Sequence, residues 1–415
     1  MRRFVSLLIL IAALGSRLTL SSAQNVPAPA ALKPSIILVS FDGFRWDYMD
    51  KAPTPNLRSL AARGMRADGL IPSYPSKTFP NHYTIVTGLY PGHHGIVANN
   101  ILDTATGRRF APGTVNEVQD AMWWGGEPVW VTAQRGGLVA GAMYWPGSEA
   151  PIRGVLPRYW NAYATAVPPD ERVDQVLRWL DLPDADRPRL ITLYFSDVDT
   201  AGHADGPDSP AVRDAITRGD DYLGNLVRGL ERRRLLDQLN IVVVSDHGMT
   251  ATDSRHVVVL DDYISLDDVD VVDINPTLAV VPKPGREDEV YRALSRAKHL
   301  KVYRRAETPE RWHYRDHPHI PPIVGGADEG WQVVRKMTLG RVLAGLLHED
   351  RGAHGYDPKF KSMRGVFVAA GPAFKQGATV RAFENIHIYD ALAQVLGVTP
   401  APNDGDPAIA RTLLK

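Results

Sequence analysis

SIILVSFDG, residues 35–43, is an apolar run that ends in an acidic residue and a glycine. So short a run, with almost no polar residue to break it, is the pattern of a strand covered on both faces, and such strands belong to parallel sheets. The pattern returns in RLITLYFSDVD (189–199) and NIVVVSDHG (240–248). Between these two, residues 210–234 place Val212, Ile216, Leu223, Leu226, Val227 and Leu230 at helical spacing. An earlier helix is predicted over 170–181, with Val173, Val176, Leu177 and Leu180 on one face. Strands alternating with helices predict an α/β fold, a doubly wound, mostly parallel sheet flanked by helices. Sites in such sheets gather beyond the carboxyl ends of the strands, so the acidic strand tips are expected to converge.

Working outward, a small α+β insertion is expected over 263–350. It would hold strands at 276–284, 299–307 and 331–336, a helix at 287–297, and a loop rich in Pro and His. The main domain, 35–415, then resumes with His354-Gly355, a strand at 364–372 and a helix at 387–397. Upstream, QNVPAPAALKP (24–34) reads as a Pro/Ala linker. Arg2 and Arg3 precede an apolar run from Phe4 to Leu14, and Ser21 and Ala23 fit a signal-peptidase site, so residues 1–23 read as a signal peptide. An uncleaved anchor is the alternative, although the run is shorter than the roughly 20 residues of a membrane span.

The chain has no cysteine, which excludes disulfides and a lipid-modified Cys and makes a bacterial periplasm the expected location. Lys+Arg and Asp+Glu each number 47 in 415 residues. That balance argues against a groove for long nucleic acid but not against a local phosphate site.

Asp42 in FDGF is a metal-ligand candidate; a turn-forming Asx is the plainer account. Asp199 and His203 are four apart, so both can face one ion across a helical turn; a capping Asp beside a surface His is the alternative. Asp246 and His247 lie side by side where a strand exits, and Gly248 would permit the irregular backbone that turns both inward. His354 gains weight only from the set. Three carboxylates and three imidazoles suit two divalent ions, zinc above all. Thr78, just before Phe79-Pro80, is expected at a helix N-terminus, where an anion is favoured; it is either an N-cap or a nucleophile.

The blocks FDGFRWDY (41–48), YPSKTFPNHYTIVTGLYPGHHGIVANN (74–100), YWPG (144–147), DVDTAGHADGP (197–207), SDHGM (245–249) and HGY (354–356) resemble the nucleotide pyrophosphatase/phosphodiesterase family of the alkaline phosphatase superfamily. The resemblance implies one metal held by Asp199, His203 and His354, and a second held by Asp42, Asp246 and His247 with the oxygen of Thr78. It implies Asn99 as amide donor to a phosphate oxygen, Asn100 being the register alternative. Phe79 and Tyr163 would sandwich a nucleobase, against core packing as the plainer account of both. The implied reaction is cleavage of phosphodiester or pyrophosphate bonds in nucleotide-type small molecules through a phosphothreonine ester, releasing a nucleoside 5'-monophosphate. Lys77 is close to Thr78 but expected to point away into solvent. A phosphomonoesterase, a phospholipid or choline-ester phosphodiesterase, or a non-catalytic nucleotide-binding protein are the competing readings.

Overall fold

Every side chain of β1 (Ile36–Phe41) is buried, and its two faces serve two different cores. Ile36 and Leu38 point into one, Ile37, Val39 and Phe41 into the other, as the two-residue period of a strand requires. The computed structural model describes Lys33, residues 35–336 and residues 351–415. The expected signal peptide, the linker apart from Lys33, and the 337–350 end of the expected insertion lie outside the described residues.

The other strands of the main sheet are β2 (Met65–Ala67), β3 (Ala140–Met143), β4 (Tyr159–Trp160), β5 (Leu190–Phe195), β6 (Asn240–Val244), β7 (Phe367–Ala370) and β8 (Ala378–Val380). They form an eight-stranded sheet in the order β8-β2-β7-β6-β1-β5-β3-β4. All pairings are parallel except the two that β7 makes, so the expected mostly parallel sheet is present with one reversed strand. One face is covered by α1 (Pro55–Arg63), α3 (Pro169–Leu180) and α5 (Pro210–Arg232), the other by α2 (Thr78–Thr87) and α6 (Ile388–Leu396). α5 starts sharply because Ser209 accepts the Val212 N–H and Pro210 occupies its first turn. Its Val212, Ile216, Leu223, Leu226 and Leu230 are fully buried, whereas Val227 is only partly so.

Register does the positioning. Phe41 pairs with Phe195, and Ser40 pairs with Val244. The three strands therefore end level, and Asp42 and Asp246 come next at the same edge. The chain then enters α4 (Asp197–Asp205), which carries Asp199 and His203 one turn apart.

Beyond β6 a second, antiparallel sheet runs in the order Val269–Ile274, Thr277–Pro282, Ile323–Ala327, Leu300–Arg304. With the helix Glu287–Leu294 it has its own core around Leu278, Val280, Val290, Leu294 and Ile323. Two of its strands, Val269–Ile274 and Ile323–Ala327, escape the sequence reading. The expected strand at 331–336 is real over Gln332–Val334, but it pairs in parallel with Val257–Val259 and not with this sheet. The 299–307 segment is strand only over Leu300–Arg304, ending in a short 3-10 turn.

Candidate active site

Asp42 follows β1 directly and turns inward because Gly43 takes the left-handed backbone, φ +67°, open to glycine at no steric cost. A Cβ at Gly43 would also stand 2.9 Å from the Asp199 backbone. The Asp42 turn is thus the device that brings two strand tips together. Gly248 has another role than the expected one. Its φ is not positive; a Cβ there would lie 2.1 Å from the Ser362 carbonyl. Close packing, not an irregular backbone, demands glycine.

The strand tips meet. His247 Nε2 lies 3.0 Å from Asp246 Oδ2 and 3.4 Å from Asp42 Oδ1. His203 Nε2 and His354 Nε2 lie 3.5 and 3.6 Å from Asp199 Oδ1. Two groups of side chains bring ligand atoms within 4.8 Å of one another: Asp42, Asp246 and His247, and Asp199, His247 and His354. His247 belongs to both, its ring stacked on His354 at 3.5 Å. His203 stands beside Asp199 but outside the second group, so the two expected ligand sets interleave at His247.

Each imidazole is oriented from behind. Nδ1 of His203, His247 and His354 donates to the carbonyls of Gly352, Gly248 and Ser76 at 3.0, 2.9 and 2.9 Å. A carbonyl can only accept, so in the neutral ring Nδ1 carries the proton and the Nε2 lone pair faces the carboxylates. Lone pairs set against carboxylate oxygens repel unless something positive lies between them. Asp42 Oδ1 is buried without a hydrogen-bond donor, and Asp246 Oδ2 is buried with no well-aligned donor, His82 Nδ1 standing 3.3 Å away but directed at the Thr78 carbonyl. Such groups are costly to bury, and a bound cation removes the cost. The donor set therefore fits divalent metal.

The ionisation pattern expresses the same demand. Burial, with Asp246 and Asp199 nearby, holds Asp42 well above the usual carboxylate range, although the Tyr194 hydroxyl at 2.6 Å works the other way. Burial would raise Asp246 as well, but His247 and His82 outweigh it and hold Asp246 well below that range. Without a cation this requires a proton on His247, whose pKa burial would lower but Asp246 raises in turn, so a proton stands where the Nε2 lone pair would meet a metal. Burial and the neighbouring His247 and His203 keep His354 neutral.

Thr78 is the first residue of α2, after Lys77 at the cap position, so it is not itself the N-cap. Its Oγ1 lies 3.3 Å from His247 Nε2, and the positive end of the helix faces the same point. Phe79 N–H donates to Asn99 Oδ1 at 3.0 Å, which fixes the Asn99 amide and leaves its NH2 as the group to offer outward. Asn100 is tied instead to Asp273 at 2.9 Å. Lys77 corrects the expectation: it is buried, not in solvent, and ion-paired with Asp273.

A cavity of about 270 Å³ opens beside Thr78, lined among others by Asp42, Phe79, Asn99, Tyr163, Tyr194 and Asp199. Tyr163 is 45% exposed, so core packing does not account for it. Phe79 packs edge-on against Phe110, lies tilted against Trp124, and also lines the cavity.

His82, Tyr194, Glu149 and Asp273 were missed in sequence. His82 is buried under the cluster: Nδ1 reaches the Thr78 carbonyl at 3.0 Å and Asp246 Oδ2 at 3.3 Å, and Nε2 meets Ser40 Oγ at 2.8 Å. Its only signal was its place one helical turn after Thr78.

A family model described as type I phosphodiesterase/nucleotide pyrophosphatase matches residues 36–357. The human ectonucleotide pyrophosphatase/phosphodiesterase family member 5 is 36% identical over 388 residues, 92% of this chain and 79% of its own length. The venom phosphodiesterase of Macrovipera lebetinus is 37% identical over 407 residues, 95% of this chain but 47% of its own, so the chain spans about half the length of that longer relative. The solved structure of murine family member 5, an inactive variant in complex with AMP, superposes with a TM-score of 0.87 at 36% identity, covering 92% of this chain and 100% of that one.

Proposed function

From the premise that this chain belongs to the type I phosphodiesterase/nucleotide pyrophosphatase family of hydrolytic enzymes, we propose that it cleaves nucleotide phosphodiester and pyrophosphate bonds with Thr78 as nucleophile. The observation that carries the reading is the Thr78 hydroxyl, 3.3 Å from His247 Nε2 at a helix start, opening on a cavity that Phe79 and Tyr163 also line.

Two divalent cations, zinc by donor type, would be held by Asp199, His203 and His354 and by Asp42, Asp246 and His247 with Thr78; when bound they supply Lewis acidity that lowers the hydroxyl pKa and balances phosphoryl charge. Thr78, its hydroxyl proton lost, attacks phosphorus in line and breaks the bond to the alcohol or phosphate leaving group, which departs and takes up a proton. The threonine then carries the nucleoside phosphoryl group as an ester, which water hydrolyses to release a nucleoside 5'-monophosphate and restore the hydroxyl. Asn99 donates its NH2 to a non-bridging oxygen as charge grows there. Phe79 and Tyr163 hold the base between them, contributing about 1–3 kcal/mol for the stacked base.

Diester preference is supported by the cavity lining. Among the described residues that line it none is Lys or Arg, whereas Asp42, Glu149 and Asp199 are acidic. With Asp42 and Asp199 taken up by the cations, a dianionic monoester would still meet Glu149 and no side-chain cation to offset its second charge. Export to a periplasm or medium rests on the 1–23 segment and accords with relatives named as ectonucleotide and venom enzymes.

The test is hydrolysis of the p-nitrophenyl ester of TMP against p-nitrophenyl phosphate and a choline phosphodiester by the purified protein. The nucleotide diester should be fastest, and Thr78→Ala should lose about 10³-fold or more in kcat. A fully active Thr78→Ala protein, or a clear monoester preference, would overturn the assignment.

A further inference from the structure

The second sheet reaches into the site through one side chain. Asp273 is 3% exposed and shares its carboxylate among three partners. Oδ2 pairs with the Lys77 ammonium and accepts from Thr277 Oγ1 at 3.2 Å; Oδ1 accepts from Asn100 Nδ2 at 2.9 Å. Lys77 immediately precedes Thr78, and Asn100 immediately follows Asn99. The Phe79 N–H bond to Asn99 Oδ1 closes the circuit on its other side. Thr78 and Asn99 thus sit on two segments that are joined directly once, and joined again through Asp273.

The strand is shaped to do this. In Val269–Ile274, Val271 pairs with Val280 but Asp273 pairs with Ala279, a bulge that leaves Val272 as the extra residue. Regular pairing would put Asp273 on the face of Val271, which packs toward the second sheet's core. The bulge moves it to the opposite face, level with Ala279, where Lys77 and Asn100 lie. The same sheet grips the loop a second time, Tyr74 OH donating to the Gly325 carbonyl at 3.1 Å, while the Tyr74 ring stacks at 3.7 Å on Trp312 in the connection between two of its strands.

We propose that Asp273 is a positioning residue of the reaction, fixing the separation of the Thr78 hydroxyl and the Asn99 amide by holding their chain neighbours Lys77 and Asn100 on one carboxylate. The second sheet then serves the chemistry directly, as the rigid mount of that carboxylate. This rests on the proposed roles of Thr78 and Asn99.

The experiment uses the full chain and the p-nitrophenyl ester of TMP. Asn100→Ala removes one bond without leaving a lone charge in the core, and Asp273→Asn keeps the shape while removing the charge. Each should lower kcat about 10-fold or more while KM stays within about twofold, and in an Asn99→Ala background Asn100→Ala should cost less than about twofold further, since its effect runs through Asn99. An unchanged kcat in Asn100→Ala overturns the proposal, as do losses that multiply in the Asn99→Ala/Asn100→Ala double variant. Should Asp273→Asn fail to fold, the Asn99–Asn100 cycle decides alone. Thr78→Ala assayed in parallel separates the two levels. If it is active, the reading of the site is wrong; if it is dead while the cycle is multiplicative, only the role of Asp273 falls.

Discussion

At the scale of single residues, the active-site region depends on histidines that differ in what they are for. Those of the carboxylate–imidazole cluster direct Nε2 toward the acidic side chains, whereas His94, four residues before Ala98, serves the packing. It is fully buried; its Nδ1 accepts the Ile96 N–H at 3.2 Å, so Nε2 carries the proton and donates to Thr84 Oγ1 at 3.0 Å. Burial, with His317 nearby, lowers its pKa to about 3. The sign of the consequence is definite. Between its folded value and the unfolded value near 6.5, the unfolded chain binds one proton more, so stability is lost as pH falls through that window. One such proton corresponds to a slope of about 1.4 kcal/mol per pH unit at most. Thermal melts from pH 7 to pH 4.5 should show a shallower pH dependence for His94→Asn, whose amide can keep an acceptor toward Ile96, than for the natural chain. Equal slopes would mean that His94 charges without cost. None of this is visible in GHHG as text, because a neutral structural His and a ligand His are the same letter.

At the scale of elements, β1, β5 and β6 were legible because strands buried on both faces write themselves as unbroken apolar runs, and α3 and α5 because their buried stripes keep helical spacing. The second sheet was half hidden for physical reasons. Val269–Ile274 alternates Val with Asp and holds a bulge, so its one buried carboxylate reads as a polar break. Ile323–Ala327 contains two glycines and little side chain to signal a strand. Gly248 shows how an element boundary is fixed by a neighbour far off in sequence. It donates its N–H to the Met363 carbonyl at 2.8 Å, and a Cβ would collide with the Ser362 and Arg364 carbonyls at 2.1 and 2.8 Å. Gly248→Ala should push the segment after β6 away, at a cost of about 1–3 kcal/mol by analogy with overpacked cores. Because Asp246 and His247 ride on that segment, bound metal measured by atomic absorption should fall along with the melting temperature. A variant with native metal content and native stability would show that the loops around 362–364 yield freely.

For the whole molecule, the cost of gathering Asp42, Asp199 and Asp246 with three imidazoles falls on the fold itself. The sheet register forces the strand tips together whether or not a cation is present, so the cation-free protein must hold these carboxylates close with protons and a few hydrogen bonds, such as those from the Tyr194 hydroxyl to Asp42 and from the Gly43 N–H to Asp246, in place of the cations. Ions that bind the folded chain and not the unfolded one return that cost by mass action, about 2.7 kcal/mol per site at a hundred times the dissociation constant. For a domain of this size, two such sites correspond to a rise in melting temperature on the order of 5–10 °C. Dialysis against a chelator should lower the melting temperature by that amount and abolish diester hydrolysis, and zinc should restore both. Asp246→Ala should shrink the chelator-induced shift, because one cation site is already lost, whereas Thr78→Ala should keep most of it, because a hydroxyl adds little to sites built from carboxylate and imidazole. The two variants thus separate holding a cation from using it. If the natural chain melted at the same temperature with and without chelator at equal protein concentration, the convergent strand tips would have to be stable on protons alone, and the two-cation reading of the site would fall.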